Sequence, residues 1–202
     1  MPAICSGRVI ALMMALVATT PLAAQRSAWS LGLTGAFSDF RGGARDPGGI
    51  SVEPSSRPEL GLVLGSSTPR WWFDLSLTWA PGHLSTRDST GEAIQVDILR
   101  ESFPRLRIGP LLGRTVVGIG QGALAIQAGP LFDLWSGDDT IRPRFGGQLR
   151  LVLEAPLGAL LLRNYLGWSV EGSPFNESEF GPTIRRPAVQ ALSAGIELRL
   201  KL

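Results

Sequence analysis

The stretch Leu192-Ser193-Ala194-Gly195-Ile196-Glu197-Leu198-Arg199-Leu200-Lys201-Leu202 decides how the chain is read. Every even position is apolar, and every odd position is small or charged: Ser193, Gly195, Glu197, Arg199 and Lys201. Successive side chains of a strand point to opposite sides, so this period of two predicts a strand with one greasy face and one polar face.

Working back from this strand, the same alternation recurs. Trp71, Phe73, Leu75, Leu77 and Trp79 share one face, while Trp72, Asp74, Ser76 and Thr78 take the other. Its end tryptophans are eight residues apart, about 26 Å along a strand at ~3.3 Å per residue. Tilted by ~40°, that spans roughly 20 Å, close to the height of an apolar membrane band between aromatic girdles. Further strands are predicted at about 28–40 (Trp29, Leu31, Leu33 and Phe37 apolar), 57–65 (Leu60, Leu62, Leu64), 122–135 (Leu124, Ile126, Phe132, Leu134), 142–154 (Phe145, Leu149, Leu151, Leu153) and 159–170 (Leu160, Leu162, Leu166, Trp168). Asn164 breaks the apolar face of the last of these. Residues 93–114 are read as one long strand bulged at Phe103-Pro104, because proline is confined to bulges and strand ends. Reading them as two strands would give nine, whereas bacterial single-chain barrels are normally even-numbered.

The connections differ in length. Residues 41–56, 80–92, 136–141 and 171–187 read as loops, and 66–69, 114–121 and 155–158 as turns. No apolar run after the N-terminal segment approaches the 18 or so residues of a spanning helix. If the chain crosses a bilayer, it does so as a closed barrel, because open sheet edges cannot be left in lipid. The expected fold is all-β: an eight-stranded antiparallel up-and-down transmembrane β-barrel with alternating long loops and short turns.

Two domains are expected: a secretory signal peptide over 1–24 and the barrel over 25–202. Arg8 supplies the positive n-region, Val9 to Ala18 the apolar core, and Pro21-Leu22-Ala23-Ala24 a small-residue cleavage site before Gln25. Cleavage there removes Arg8 and the one cysteine, Cys5, and leaves 18 basic and 17 acidic residues from the 19 and 17 of the whole chain. Near-neutral charge gives no case for a nucleic-acid partner. A mature chain without cysteine has no disulfide framework.

The stretch Leu106-Arg107-Ile108-Gly109-Pro110-Leu111-Leu112-Gly113-Arg114, followed by Ala128-Gly129-Pro130, resembles the fourth and fifth strands of the small outer-membrane barrels of the OmpA/OmpX kind, within the broad outer membrane protein beta-barrel domain family. The alternating C-terminus resembles that family's assembly signal, which usually ends in an aromatic residue where this chain has Leu202. The resemblance implies a porin-like barrel in the outer membrane of a Gram-negative bacterium, with outer-membrane lipids and the assembly machinery as partners.

On this layout Glu59, Asp74, Arg105, Arg107, Asp133, Arg144, Arg150, Glu154, Arg163, Glu197, Arg199 and Lys201 face the lumen. Eight strands enclose only enough room for side chains. Charges buried there must pair, so a closed, salt-bridged lumen is expected, with ligand- or surface-contacting loops. Trp71, Trp79 and Trp168 are expected at the membrane interfaces. No catalytic residue, cofactor or metal is expected. Gly118-Ile119-Gly120-Gln121-Gly122 lacks dinucleotide-loop spacing and reads as a turn, and Asp138-Asp139 offers too few ligands for a cation. Asn176-Glu177-Ser178 matches a glycosylation acceptor, a motif without meaning in a bacterial host.

Two other readings remain open. His83 and Ser85, with Asp88 nearby, have the spacing of the pair in outer-membrane lipid A deacylases, but fall in a polar loop. A soluble periplasmic barrel of the lipocalin sort would turn the apolar faces inward around a greasy ligand.

Overall fold

The computed structural model describes residues 28–55, 57–68, 70–82, 84–87, 93–94, 103–137, 140–175 and 185–202. Among the described residues twelve strands run in chain order: β1 (Ala28–Arg41), β2 (Ala44–Arg45), β3 (Ser51–Pro54), β4 (Arg57–Ser67), β5 (Trp71–Ala80), β6 (Leu84–Arg87), β7 (Ala93–Ile94), β8 (Arg105–Ile119), β9 (Gly122–Gly137), β10 (Thr140–Leu157), β11 (Leu160–Glu171) and β12 (Val189–Lys201). Eight of them close a barrel in the order β1-β12-β11-β10-β9-β8-β5-β4, with every neighbouring pair antiparallel.

Closure joins the two ends of the sheet. β1 and β12 pair from Ser30↔Lys201 to Arg41↔Gln190, and the Leu202 N–H donates to the Trp29 carbonyl at 2.9 Å. A sheet closed in this way has no edge whose N–H and C=O groups lack partners.

Alternation sets the two sides of the wall. Along β5, Trp71, Phe73, Leu75, Leu77 and Trp79 are exposed on the outer surface, while Trp72, Asp74, Ser76, Thr78 and Ala80 are buried inside. Leu60, Leu62 and Leu64 of β4, Leu149, Leu151 and Leu153 of β10, and Ile196, Leu198 and Leu200 of β12 continue the apolar outer belt. The interior gathers the charged and polar side chains, Glu59, Asp74, Arg105, Arg107, Asp133, Arg163, Glu197 and Arg199 among them, with aromatic rings packed between them. This excludes the lipocalin-like arrangement, which needs an apolar interior.

Short turns lie at one end. Gly120, in the β8–β9 turn, and Gly158, in the β10–β11 turn, have φ of +60° and +66°, a left-handed conformation that glycine adopts without steric cost. The glycine-rich stretch 118–122 is therefore a hairpin. At the β4–β5 turn, Thr68 and Trp71 exchange bonds: the Thr68 N–H donates to the Trp71 carbonyl at 2.8 Å, and the Trp71 N–H to Thr68 Oγ1 at 3.0 Å.

At the opposite end the sequence reading needs correction. Residues 41–56 and 80–92, expected as loops, contribute β2, β3 and β6, which form a second four-stranded sheet with β7 in the order β2-β3-β6-β7. These strands are two to four residues long, too short for their alternation to stand out. Residues 93–114 are not one strand either. Ala93–Ile94 belongs to the small sheet, and the barrel strand β8 starts at Arg105. Phe103 is held before it by its N–H to the Gly82 carbonyl at 2.8 Å. Nor is 114–121 a turn. β8 continues to Ile119, with a bulge between Thr115 and Val117 that leaves the consecutive Val116 and Val117 both exposed. A bulge inserts one unpaired residue, and this one destroys the alternation that would have revealed the strand. β9 and β10 likewise extend to Gly137 and from Thr140, into the expected 136–141 loop.

Candidate functional site: the charged lumen and its mouth

Residues that alternation places inside the wall meet in two clusters. Near the short-turn end, Asp74 on β5 accepts from Arg199 on β12 (Nη1 to Oδ1, 2.5 Å; Nη2 to Oδ2, 2.9 Å), from Arg163 on β11 (2.9 Å) and from Gln127 on β9 (2.5 Å). In the barrel order, β5 and β11 are four strands apart by either route, so the Asp74–Arg163 bond runs across the full diameter. Arg199 also engages Glu197. Arg163 holds Glu154 at 2.6 Å, and Arg150 approaches Glu197 at 3.4 Å. Three carboxylates and three guanidiniums balance.

Nearer the long-loop end, Arg107 grips Asp133 with a fork of 2.8 Å and 2.7 Å, the bidentate geometry that makes arginine–carboxylate pairs strong. Arg105 bonds Glu59 and lies 3.4 Å from Asp133. Glu171 stands 3.8 Å from Arg105 and 3.6 Å from Arg107.

Aromatic rings fill the space around both clusters. Arg163 stacks on Trp72 at 4.2 Å, and Arg150 on Tyr165 at 4.5 Å. A Cβ on Gly195 would run into the Tyr165 ring, so the glycine makes room for it. At the long-loop end Phe40, Phe103 and Trp135 pack together with Val189 and Ala191, and Arg105 lies over Phe40 and Trp135 at 4.8 Å and 5.3 Å.

Three expected lumen residues stand apart from the cluster cores. Arg144 is at the mouth, donating to the backbone carbonyls of Ser173 and Pro143. Glu154, though bonded to Arg163, is partly exposed at the edge of its cluster, and Lys201 is exposed. Sequence reasoning missed Glu171, which was assigned to the last loop; continuing the odd-numbered series 163, 165, 167, 169 by one step would have found it. Gln127, absent from the expected lumen residues, is buried on the same face of β9 as Asp133 and is a further partner of Asp74. Trp71, Trp79 and Trp168 are exposed on the outer wall, Trp71 near the short turns and the other two toward the long loops. Trp29 joins Trp71 at its end. Asn164 points outward between Leu153 and Ile196.

Ser85 lies in β6 of the small sheet, where its Oγ donates to the Glu53 carbonyl at 3.3 Å. His83, Asp88, Asp138-Asp139, Asn176-Glu177-Ser178 and the 1–24 segment lie outside the described residues. Among the described residues, no three histidine, cysteine, aspartate or glutamate side chains come together as a metal site.

A closed eight-stranded antiparallel wall with an apolar outside and a charged inside is the fold of the small outer-membrane β-barrels. The structure is similar to the outer membrane protein OprG from Pseudomonas aeruginosa (TM-score 0.60, 12% identity, 88% of this chain and 97% of that one) and to Neisserial surface protein A (TM-score 0.57, 12% identity, 86% and 97%). No protein-family model and no curated protein sequence matches the chain.

Asp74 is 1% exposed, and removing one partner of a buried ion pair costs about 3–5 kcal/mol. Asp74→Leu is expected to lower the unfolding free energy of the detergent-refolded barrel by about that amount. Asp74→Asn, which keeps an acceptor oxygen, should lose less. Urea titration followed by tryptophan fluorescence checks this; an Asp74→Leu midpoint equal to the wild type's would contradict it.

Proposed function

We propose that the chain is a non-enzymatic integral outer-membrane barrel with a closed lumen, whose long-loop end carries its contacts with the outside. The observation that carries this reading is the Asp74–Arg163 bond across the barrel, set in a network of paired charges. A path for solutes would have to break charge-assisted bonds in a low-dielectric interior, where the groups left behind are expensive.

The apolar belt supports outer-membrane lipids as the surrounding solvent, since no water is there to solvate the charges if they faced outward. Aromatic residues at both margins suit the interfaces. The chain reaches this membrane with its 1–24 segment as a cleaved signal peptide, and the outer-membrane assembly machinery inserts the barrel with the short turns in the periplasm. Ser85, the described member of the His83–Ser85 pair, donates its hydroxyl to the Glu53 backbone carbonyl in the small sheet.

Two outcomes are expected. In planar lipid bilayers the purified protein gives no steady, reproducible single-channel steps; such steps would overturn the closed lumen. N-terminal sequencing of the protein recovered from outer membranes begins at Gln25, whereas a sequence starting at Met1 would contradict export by a cleaved leader.

A further inference from the structure

Asn164 is the outward-facing residue that a lipid-covered wall leaves unexplained. It lies on β11 four residues from Leu160 at the short-turn end and four from Trp168, and the other outward positions of that stretch are Leu160, Leu162, Leu166 and Trp168. Four residues at ~3.3 Å each, on a strand tilted by ~40°, place it roughly 10 Å inside the level of Trp168. The cross-strand row through it runs Leu60, Gly35, Ile196, Asn164, Leu153 and Leu124, one residue from each of β4, β1, β12, β11, β10 and β9. Asn164 is the polar member of that row, and no described residue bonds its amide.

A primary amide carries two donors and an acceptor oxygen. Hydrocarbon supplies neither kind of partner, and a polar group left unpaired in it is costly. Lipid headgroups lie at the level of the tryptophans, too far away to help. The amide therefore calls for a protein surface that offers a polar group at the same depth. A second copy of this chain does so by symmetry. A two-fold axis along the membrane normal keeps every residue at its own depth, so a residue on the axis meets itself, as in any isologous contact. An asparagine amide is complementary to itself: the N–H of each copy can donate to Oδ1 of the other. Such bonds between polar side chains hold protein surfaces together inside membranes.

The surrounding wall has room for this contact. All six residues of the row line a hollow of about 840 Å³ on the outer surface. Gly35 leaves a notch in it, where a Cβ would meet just Leu60 Cδ2 at 3.7 Å. With Asn164 on the axis, Leu153 of each copy faces Ile196 of the other, beside that notch. We propose that this part of the wall docks a second copy of the chain, with the two Asn164 amides hydrogen-bonded reciprocally across a two-fold axis inside the membrane. The inference rests on the reading that the apolar belt faces lipid.

The test is energy transfer between mature copies labelled at the N-terminus with donor or acceptor, reconstituted in phosphatidylcholine vesicles and progressively diluted with lipid. Transfer above the random-collision level, linear in the acceptor fraction as for a pair, is expected of the wild type. Asn164→Leu is expected to weaken association at least tenfold, and Asn164→Gln, which keeps the amide, by less. Heat-modifiable migration reports folding of each variant. At high lipid dilution, where copies are apart, the urea midpoint of Asn164→Leu should not fall below the wild type's; a fall would mean that the amide serves the fold instead. Residues 25–202 contain no cysteine, so Asn164→Cys introduces a lone thiol, and mild oxidation should join two copies through it. Leu75→Cys, on β5 of the opposite wall, should stay monomeric. Random-collision transfer alone in the wild type, a folded Asn164→Leu variant that associates as tightly, or equal cross-linking at both cysteines overturns the proposal. Brominated phosphatidylcholine in the same vesicles separates the two readings. Quenched outer-wall tryptophans without energy transfer refute the pair alone; unquenched ones refute the lipid-facing belt and the pair with it.

Discussion

A strand that enters hydrocarbon must have every backbone N–H and C=O bonded within the protein, because nothing in the lipid can take their place. The pairing of β1 with β12 meets that demand by removing the only two edges the barrel sheet would otherwise have. Everything else depends on this closure. Once the ends are joined, the two faces of each strand lie in different surroundings, and the period of two becomes a partition: an almost wholly apolar face outside, and the charges, with the aromatic rings that pack on them, inside. The closing bonds also fix the register of opposite walls, which is what allows Asp74 on β5 to meet Arg163 on β11.

Burying so many charges carries a desolvation cost that attraction offsets only when geometry and hydrogen bonding are good. The lumen meets this with forks and shared partners. Asp74 serves Arg199, Arg163 and Gln127, and Asp133 serves Arg107 and Arg105. The aromatic rings that carry Arg163, Arg150 and Arg105 on their faces add a cation–π contribution to the same guanidiniums. Paired charges spread over β4, β5, β8, β9, β10, β11 and β12 also specify register, since slipping any one strand by a residue would turn its charges toward the apolar side.

The fold was legible wherever strands are long and alternate strictly. β5 and β12 could be read residue by residue, and the inward positions of Glu59, Asp74, Arg107, Asp133, Arg163, Glu197 and Arg199 follow from parity alone. Three physical features hid the rest. The bulge at Thr115–Val117 turned two consecutive valines outward and made the end of β8 look like a turn. The strands of the small sheet are too short to show a period. The pairing of particular charges across the lumen depends on barrel order and stagger, which alternation does not encode: parity put Asp74 and Arg163 on the same side of the wall but could not make them partners.

The central claim is that the apolar faces meet lipid and the charged faces meet one another. The six tryptophans allow a direct test, because Trp79 is exposed on the outer wall and Trp72 is buried inside it. The measurement is fluorescence quenching by brominated phosphatidylcholine of two single-tryptophan variants, retaining Trp79 or Trp72 with the other five changed to phenylalanine. The account predicts strong quenching of Trp79 and little of Trp72; quenching of Trp72 with Trp79 unaffected would mean that the wall is turned the other way.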